Sequence, residues 1–539
     1  NLIADALQHA LNGNDDLRTL KLLENAAISF LSEGQFQALI EWHEILNPPL
    51  IEDYPNFWIA TAYSLMLCFR ISDSQEMIKK IKKTKVYEDE LVQFRLSVID
   101  LTIAMYEDNR EKIFSLHDNW PKVFPFLDRL FVPAALNPVS IAFAQIGELQ
   151  KARDIYNYLI PIPEKQRAFI ATTYQQCYLA HTYFQEGRLE IAEKYCRDRL
   201  TLSEKRLGYF SVASCATSAF FSEILYEKNC LRELFVMLSE RMGIICENLT
   251  PDGIIKPYVS LAKAYQANND TEKALANIQE LYLIGQKNSQ RRFLINALGI
   301  RVQIFLQMDD LIAAQETLRE LENIVSGDNL KPPLANEEYI LASLARVYLQ
   351  FHENDYKSAL SKLTIIRESK IYPRQHNLGV KIDALICVCN MRLKPEISSL
   401  PQVLEVLKAG EKIGLVRTFL DNTAFLECIK PHTAEILSYN KCEDIRNYLL
   451  LLLDQDQTQH DALLVPHTTK VADAVSFTDQ EKQILSLIAH GLPNKVIAHK
   501  LDVSIDTIKY HLKKIYVKTN TSGRTEAIFF AQRLGLIEK

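Results

Sequence analysis

The sequence predicts an all-α protein: a long stack of helical hairpins followed by a small basic helical module. Three observations carry that expectation. From about residue 15 to 455 apolar residues recur at three- and four-residue spacing, the period of helices with one buried face. Alternating, β-branched runs bounded by turn residues are almost absent. A helix–turn–helix unit recurs about every 40 residues. With 539 residues, 48% hydrophobic and 24% charged, the chain has ample apolar content for a core and too much length for one domain. Disorder, collagen and small disulfide scaffolds are excluded.

Residues 1–140 read as divergent helical hairpins, the clearest being "LLENAAISFLSEGQFQALIEWHEIL", with Pro48, Pro49 and Pro55 as punctuation. Residues 141–453 carry the clearer repeats. "IAFAQIGELQKARDIYNYL" places Gly147 five residues before Ala152, and "AHTYFQEGRLEIAEKYCRDRL" places Gly187 five before Ala192. A degenerate unit spans Asn229 to Leu234. "LAKAYQANNDTEKALANIQEL" pairs Asn269 with Ala274, "RVQIFLQMDDLIAAQETLREL" pairs Asp309 with Ala314, and "VYLQFHENDYKSALSKL" pairs Asn354 with Ala359. Physically, a turn residue tolerant of left-handed geometry ends the first helix, and a small residue in the second lets the two approach closely. The units resemble the tetratricopeptide family, with a longer period than its usual 34 or so residues. The resemblance implies a superhelix. An irregular bundle with alanines at helix crossings is the alternative, and the regular spacing argues against it.

Residues 454–476 are polar, lack helical periodicity and read as a linker. The ten cysteines are scattered, without a C-x-x-C pair or metal-ligand spacing, which fits a reducing cytoplasm. The longest uncharged stretch, Phe131 to Gly147, contains Pro133, Asn137, Pro138 and Gln145 and makes a poor membrane span; no signal peptide or membrane segment is expected. The first residue is Asn1 and not methionine, so the natural start is expected to lie upstream.

Charge separates the two ends. Residues 477–539 hold ten Lys/Arg against six acids, or +4, so the preceding 476 residues carry −10 of the net −6. A basic module on an acidic body points to a polyanionic partner at one end. Thr478 and Glu481 form a capping box before a helix burying Ile484, Leu487 and Ile488 and stopping at Gly491. A second short helix starts at Asn494 and runs to Leu501. After the turn "LDVS", Ser504 caps a third helix with Ile508, Leu512 and Ile515 on its buried face. At 100° per residue, Lys509, Tyr510, Lys513 and Lys514 point away from that face, and His511 flanks it. Such a helix suits a DNA major groove: the lysines neutralise phosphates and donate to guanine O6 and N7, and Tyr510 offers a hydroxyl and a ring edge. On an arbitrary helix a lysine face is merely solvated; here the order of caps, turn and buried row favours the groove. His511 is read evenly as a packing residue and as a phosphate donor.

The string from Phe477 to Ile528, with Thr478, Glu481, Gly491, Asn494-Lys495, Ile497-Ala498, Val503-Ser504, Thr507, Lys509, His511, Lys518, Arg524 and Ala527, resembles the LuxR/GerE-type helix-turn-helix. That resemblance implies major-groove entry by the third helix. By it, residues at Lys509, Tyr510 and Lys513 reach bases, and Asn494, Lys495, Thr507 and Lys518 lie near phosphates. A fourth helix, about Thr525 to Leu534, would pair two copies on DNA. The sequence departs from the family at Asn520-Thr521, where an apolar pair is usual.

Together the two parts resemble the effector half of MalT-like, large ATP-binding regulators. The resemblance implies an inducer or protein effector on the repeat domain, self-association, and transcription activation through RNA polymerase. It also implies ATP in an upstream domain. None of the sixteen glycines precedes a lysine, so the chain lacks a Walker A loop and no cofactor is expected within it. No nucleophile–base pair or metal cluster speaks for an enzyme. The competing reading is a repeat-based protein-interaction adaptor with an accessory DNA-binding tail. Tyr174, Gln175 and Tyr178, at i, i+1 and i+4 of one helix, are read as packing residues, and no inducer site is named.

Overall fold

A computed structural model describes residues 15–46, 52–118, 128–326, 336–368, 376–394, 400–439 and 443–462. In the C-terminal module it describes residues 483–485, 487, 497, 500, 501, 508, 511, 512 and 515. All regular structure among the described residues is helical.

The hairpins are built by one recurring turn. Gly34, Phe69, Asp108, Gly147, Gly187, Asn229, Asn269, Asp309 and Asn354, spaced 35 to 45 residues apart, all have φ between 52° and 82°. At each, the N–H of the following residue donates to the carbonyl five positions before itself. Examples are Arg188 to Tyr183 at 2.8 Å, Asp270 to Tyr265 at 2.9 Å and Asn109 to Ala104 at 2.8 Å. This is the hydrogen bond of a left-handed helix stop, and it satisfies a carbonyl that the helix end would otherwise orphan. The next residue then starts the second helix: the carboxylates of Asp270, Asp310 and Asp355 accept from the N–H groups of Lys273, Ala313 and Ser358. Five residues beyond each turn lies a buried contact point. Ala152, Ala192, Ala274, Ala314 and Ala359 are fully buried there, as the sequence spacing requires, and Leu39, Ser74, Ile113 and Leu234 hold the same place in the other units. The frame therefore runs through the stretch read as divergent, back to Gly34.

The two helices of each hairpin bury different amounts of surface. First helices such as Pro55–Leu67, Glu90–Tyr106 and Val212–Glu227 are buried nearly all round. Each packs on its own hairpin partner and on the first helix of the next unit, which makes an inner layer. Second helices such as Ile71–Ile81 and Thr271–Lys287 bury one stripe and expose the rest. The uncharged stretch that made a poor membrane span is the inner helix Phe131–Gln145. Among the described residues no helix is long and apolar enough to cross a membrane. Nine of the cysteines are described, and all nine are free thiols.

The stack curls until distant units touch. Arg292, buried at the start of Arg291–Gln307, pairs with Asp252 at 2.8 Å and reaches the turn residue Asp108, 184 positions earlier, at 3.4 Å. Phe69 meets Phe293 with ring centroids 6.2 Å apart. Farther on, the helices Asn377–Leu393, Leu400–Ile413, Arg417–Leu420, Thr423–Ile429 and Glu443–Ala462 share their own core around Phe419, Phe425, Leu449 and Leu452, with Leu189 of the repeat stack packed into it. The seam between the two is polar and buried. Glu227 Oε1 accepts the backbone N–H groups of Val416 at 3.1 Å and Thr418 at 2.9 Å, and Oε2 accepts the Thr418 hydroxyl at 3.0 Å. Tyr226 donates to Asp421 at 2.7 Å, and Asp421 pairs with Arg417 at 2.5 Å.

One boundary differs from the sequence reading. The last body helix extends to Ala462, nine residues into the segment taken as linker. "DQDQTQHDA" has no proline or glycine to stop a helix, and its Gln and Ala propagate one at little cost, so polarity alone does not mark the end. Asp456 on this extension pairs with Lys430 at 2.7 Å.

Two outcomes test this architecture. Burial pushes the Glu227 carboxyl up to about 7, the Thr418 N–H offsetting it only in part. A folded-state value above the ordinary one favours the protonated fold, so this contribution is complete below about pH 4.5 and is lost as pH rises through 7. Relative to Glu227→Gln, the wild-type body should lose roughly 3 kcal/mol between pH 4.5 and 8, read by denaturant melts at each pH. Parallel pH profiles for the two proteins would contradict the buried seam. Independently, a Cβ on Gly410 would lie 2.4 Å from Cε2 of Phe419 and 2.8 Å from the Tyr448 oxygen. Gly410→Ala should therefore cost about 1–3 kcal/mol in the same melts, and a neutral change would mean that this core has slack.

Candidate nucleic-acid interface and the interior of the repeat body

In the C-terminal module six of the eleven described side chains are buried and form its core. Ile484, Leu485, Ile497, Ile508 and Ile515 are fully buried and Leu512 is 5% exposed. The buried row at 508, 512 and 515 is the one the helical period requires. Leu501 N–H donates to the Ile497 carbonyl at 3.0 Å, one turn of the second short helix. The first helix differs in detail: Leu485 is fully buried and Leu487 half-buried, whereas the sequence reading placed Leu487 inside and passed over Leu485. Adjacent residues both turn inward where a short helix buries a wide arc in a small domain. His511 is half-buried, flanking the row of isoleucine and leucine. The other residues proposed to face DNA, Asn494, Lys495, Thr507, Lys509, Tyr510, Lys513, Lys514 and Lys518, lie outside the described residues, as do Ile488 and the expected fourth helix.

Two spaces among the described residues of the repeat body differ sharply. Tyr174, Gln175 and Tyr178 are 7%, 5% and 1% exposed. The two tyrosine rings lie 6.1 Å apart, and the Tyr174 oxygen accepts from the Thr250 N–H at 3.4 Å. With Tyr63, Met105 and Ile170 they enclose about 50 Å³, room for water and not for an inducer. Their role is packing, as read from the sequence. A polar cluster lies nearby: Lys256 Nζ reaches Glu223 at 2.7 Å and His181 at 3.1 Å. Burial pushes the Glu223 carboxyl up, but Lys256 and His181 outweigh it and hold the group down to about 2.

The larger space is a cleft of about 470 Å³ between the inner helices and the Arg417–Ala424 segment. Tyr226, Lys263, Gln303, Tyr348, Phe351 and Asn422 contribute to its walls. Nothing in the sequence flags this group, because its members come from five separate helices or caps and share no local motif.

The fold is that of a helical-repeat body carrying a small helix-turn-helix module, the plan of a repeat-containing DNA-binding protein. Residues 134–429 match the family model described as the MalT-like TPR region, more than half of the chain, and the chain belongs to that family. Residues 475–531 match the model for bacterial regulatory proteins of the luxR family. Among curated proteins the chain is similar to the HTH-type transcriptional regulator AlkS of Ectopseudomonas oleovorans, 22% identical over 99% of this chain and 59% of that protein. It is also similar to the HTH-type transcriptional regulator MalT of Yersinia pestis (strain Pestoides F) and of Yersinia pseudotuberculosis serotype O:1b, each 20% identical over 98% of this chain and 60% of the relative. The chain thus spans about 60% of the length of the curated relatives it matches.

If the buried row at 508, 512 and 515 holds the module together, Leu512→Ala should destabilise it by about 2–5 kcal/mol while the body melts as before. Selective loss of protection in residues 477–539 by hydrogen exchange is the expected readout. Unchanged protection there would contradict the row.

Proposed function

We propose that this chain is the sensing and DNA-reading part of a transcriptional regulator, an activator by resemblance, in which the repeat body receives an inducer or protein effector and controls the helix-turn-helix. The observation that carries the reading is the luxR-family match over residues 475–531, in a module whose third-helix core residues Ile508, Leu512 and Ile515 are buried as that motif needs. A basic module of +4 on an acidic body supports double-stranded DNA as its partner. That the relatives AlkS and MalT are transcriptional regulators supports the same direction. Under this reading Lys509, Tyr510 and Lys513 contact bases. Asn494, Lys495, Thr507 and Lys518 steady the phosphates, Lys514 faces the DNA, and His511 either packs against the core or donates to a phosphate. Two copies sit on paired half-sites, and the site of action is the cytoplasm, in contact with RNA polymerase. No cofactor is assigned to residues of this chain.

Lys509→Ala or Lys513→Ala should weaken specific duplex binding by the full chain by about 1–3 kcal/mol, roughly 5- to 150-fold, without shifting its melting temperature. Fluorescence anisotropy on a duplex selected by the wild-type chain measures both. Unchanged affinity in both variants would overturn the groove assignment.

A further inference from the structure

The cleft beside the seam holds an imbalance of charge. Lys263, on Pro251–Ala267, makes no hydrogen bond or ion pair with a described residue; its ammonium lies 5.7 Å from the centre of the Tyr226 ring. Burial lowers its pKa and Lys381 lowers it further, and the charges of Asp421, Glu227 and Glu223 offset this only in part. Lys381 itself sits 5.4 Å from the Tyr348 ring centre and is engaged with that hydroxyl. Across the cleft, Asn422 is 6% exposed and its Nδ2 has no acceptor, although its Oδ1 is used to cap Phe425 at 3.2 Å. The acids in the walls are already committed: Asp421 to Arg417 and Tyr226, Asp456 to Lys430. A half-buried ammonium and a buried amide N–H therefore lack acceptors among the described residues, in a space whose walls set the rings of Tyr226, Tyr348 and Phe351 beside polar side chains such as Gln266, Gln303 and Gln307. Buried donors such as the Asn422 amide are normally satisfied, and an ammonium lining the same cleft favours an acceptor that carries negative charge.

We propose that this cleft is a binding site for a small organic anion, its acidic group held between Lys263 and Asn422 and its apolar part against Tyr226, Tyr348 and Phe351. A cavity of about 470 Å³ lies within the usual range for small-molecule sites. A neutral ligand would leave the ammonium uncompensated, and a cation would be repelled by Lys263, Lys381 and Arg417. The anion would cross-link the repeat helix Pro251–Ala267 to the Asn422 cap, beside the Glu227 seam. This deepens the sensing role proposed above and rests on it for its consequence, while binding itself stands on the cleft alone.

The test titrates the full chain with 8-anilinonaphthalene-1-sulfonate, an aromatic anion that fluoresces in apolar sites. The wild type should saturate with one tight site. Lys263→Met removes the ammonium, and Asn422→Asp keeps the cap acceptor while replacing the free donor with a charged oxygen; each should weaken that site at least tenfold. Lys263→Met should melt no lower than wild type, because the lysine gives up no hydrogen bond or ion pair with a described residue. Wild-type dye affinity in both variants, or no saturable site in the wild type, would overturn the proposal. So would a lowered melting temperature in Lys263→Met with full affinity in Asn422→Asp, which would make Lys263 a structural lysine. Duplex binding measured on the same proteins separates the two readings: a failed DNA module leaves the dye site intact in Lys509→Ala, and a failed cleft leaves duplex binding intact in all.

Discussion

Everything in the body depends on one backbone constraint, a single residue per hairpin held in the left-handed region. For a non-glycine residue that conformation costs about 1–2 kcal/mol, yet Phe69, Asp108, Asn229, Asn269, Asp309 and Asn354 all adopt it. The cost is offset locally, because the turn supplies a helix-stop hydrogen bond and points the chain back so that the residue five positions later enters the core. Where that residue is alanine the two helices approach closely. Where it is Leu39, Ile113 or Leu234 the same position is filled by a larger side chain, which loosens the sequence pattern without changing the topology.

Because each turn adds the same step, contacts appear between units far apart in sequence. Arg292 against Asp108 and Glu227 against Val416 and Thr418 span 184 to 191 positions and tie successive passes of the stack together. The seam at Glu227 is where the repeat layer meets the helices that lead toward the C-terminal module. The same curvature creates the cleft, since Lys263 and Asn422, from elements about 160 positions apart, line one space. Packing thus makes the interior in two grades: an aromatic-filled part around Tyr174 and Tyr178, and an open polar part with donors to spare.

The sequence made the repeat legible where the turn residue was Gly, Asn or Asp and the fifth residue alanine. It showed the earlier units only as divergent hairpins without their register, because Phe69 is not a residue type that announces a left-handed turn and Ser74 is not an obvious packing residue. Helix ends were legible where glycine or a capping carboxylate stood, as at Gly187 and Asp270, and not at residue 454, where only polarity changed. In the C-terminal module the period located Ile508, Leu512 and Ile515 but missed Leu485, since a short helix buries a broader arc than one ridge. The cleft could not be read at all. Tyr226, Lys263, Tyr348 and Asn422 acquire a common environment only through the curvature of the whole stack.

An acidic helical-repeat body and a basic module beyond residue 476 make a division of labour the central claim. The salt dependence of duplex binding tests it most directly, comparing the full chain with a chain ending at residue 462. The full chain should bind with a steep fall in affinity as salt rises, the signature of counterion release by its lysines, and the shortened chain should retain no DNA. Equal DNA retention by the shortened chain would contradict the account.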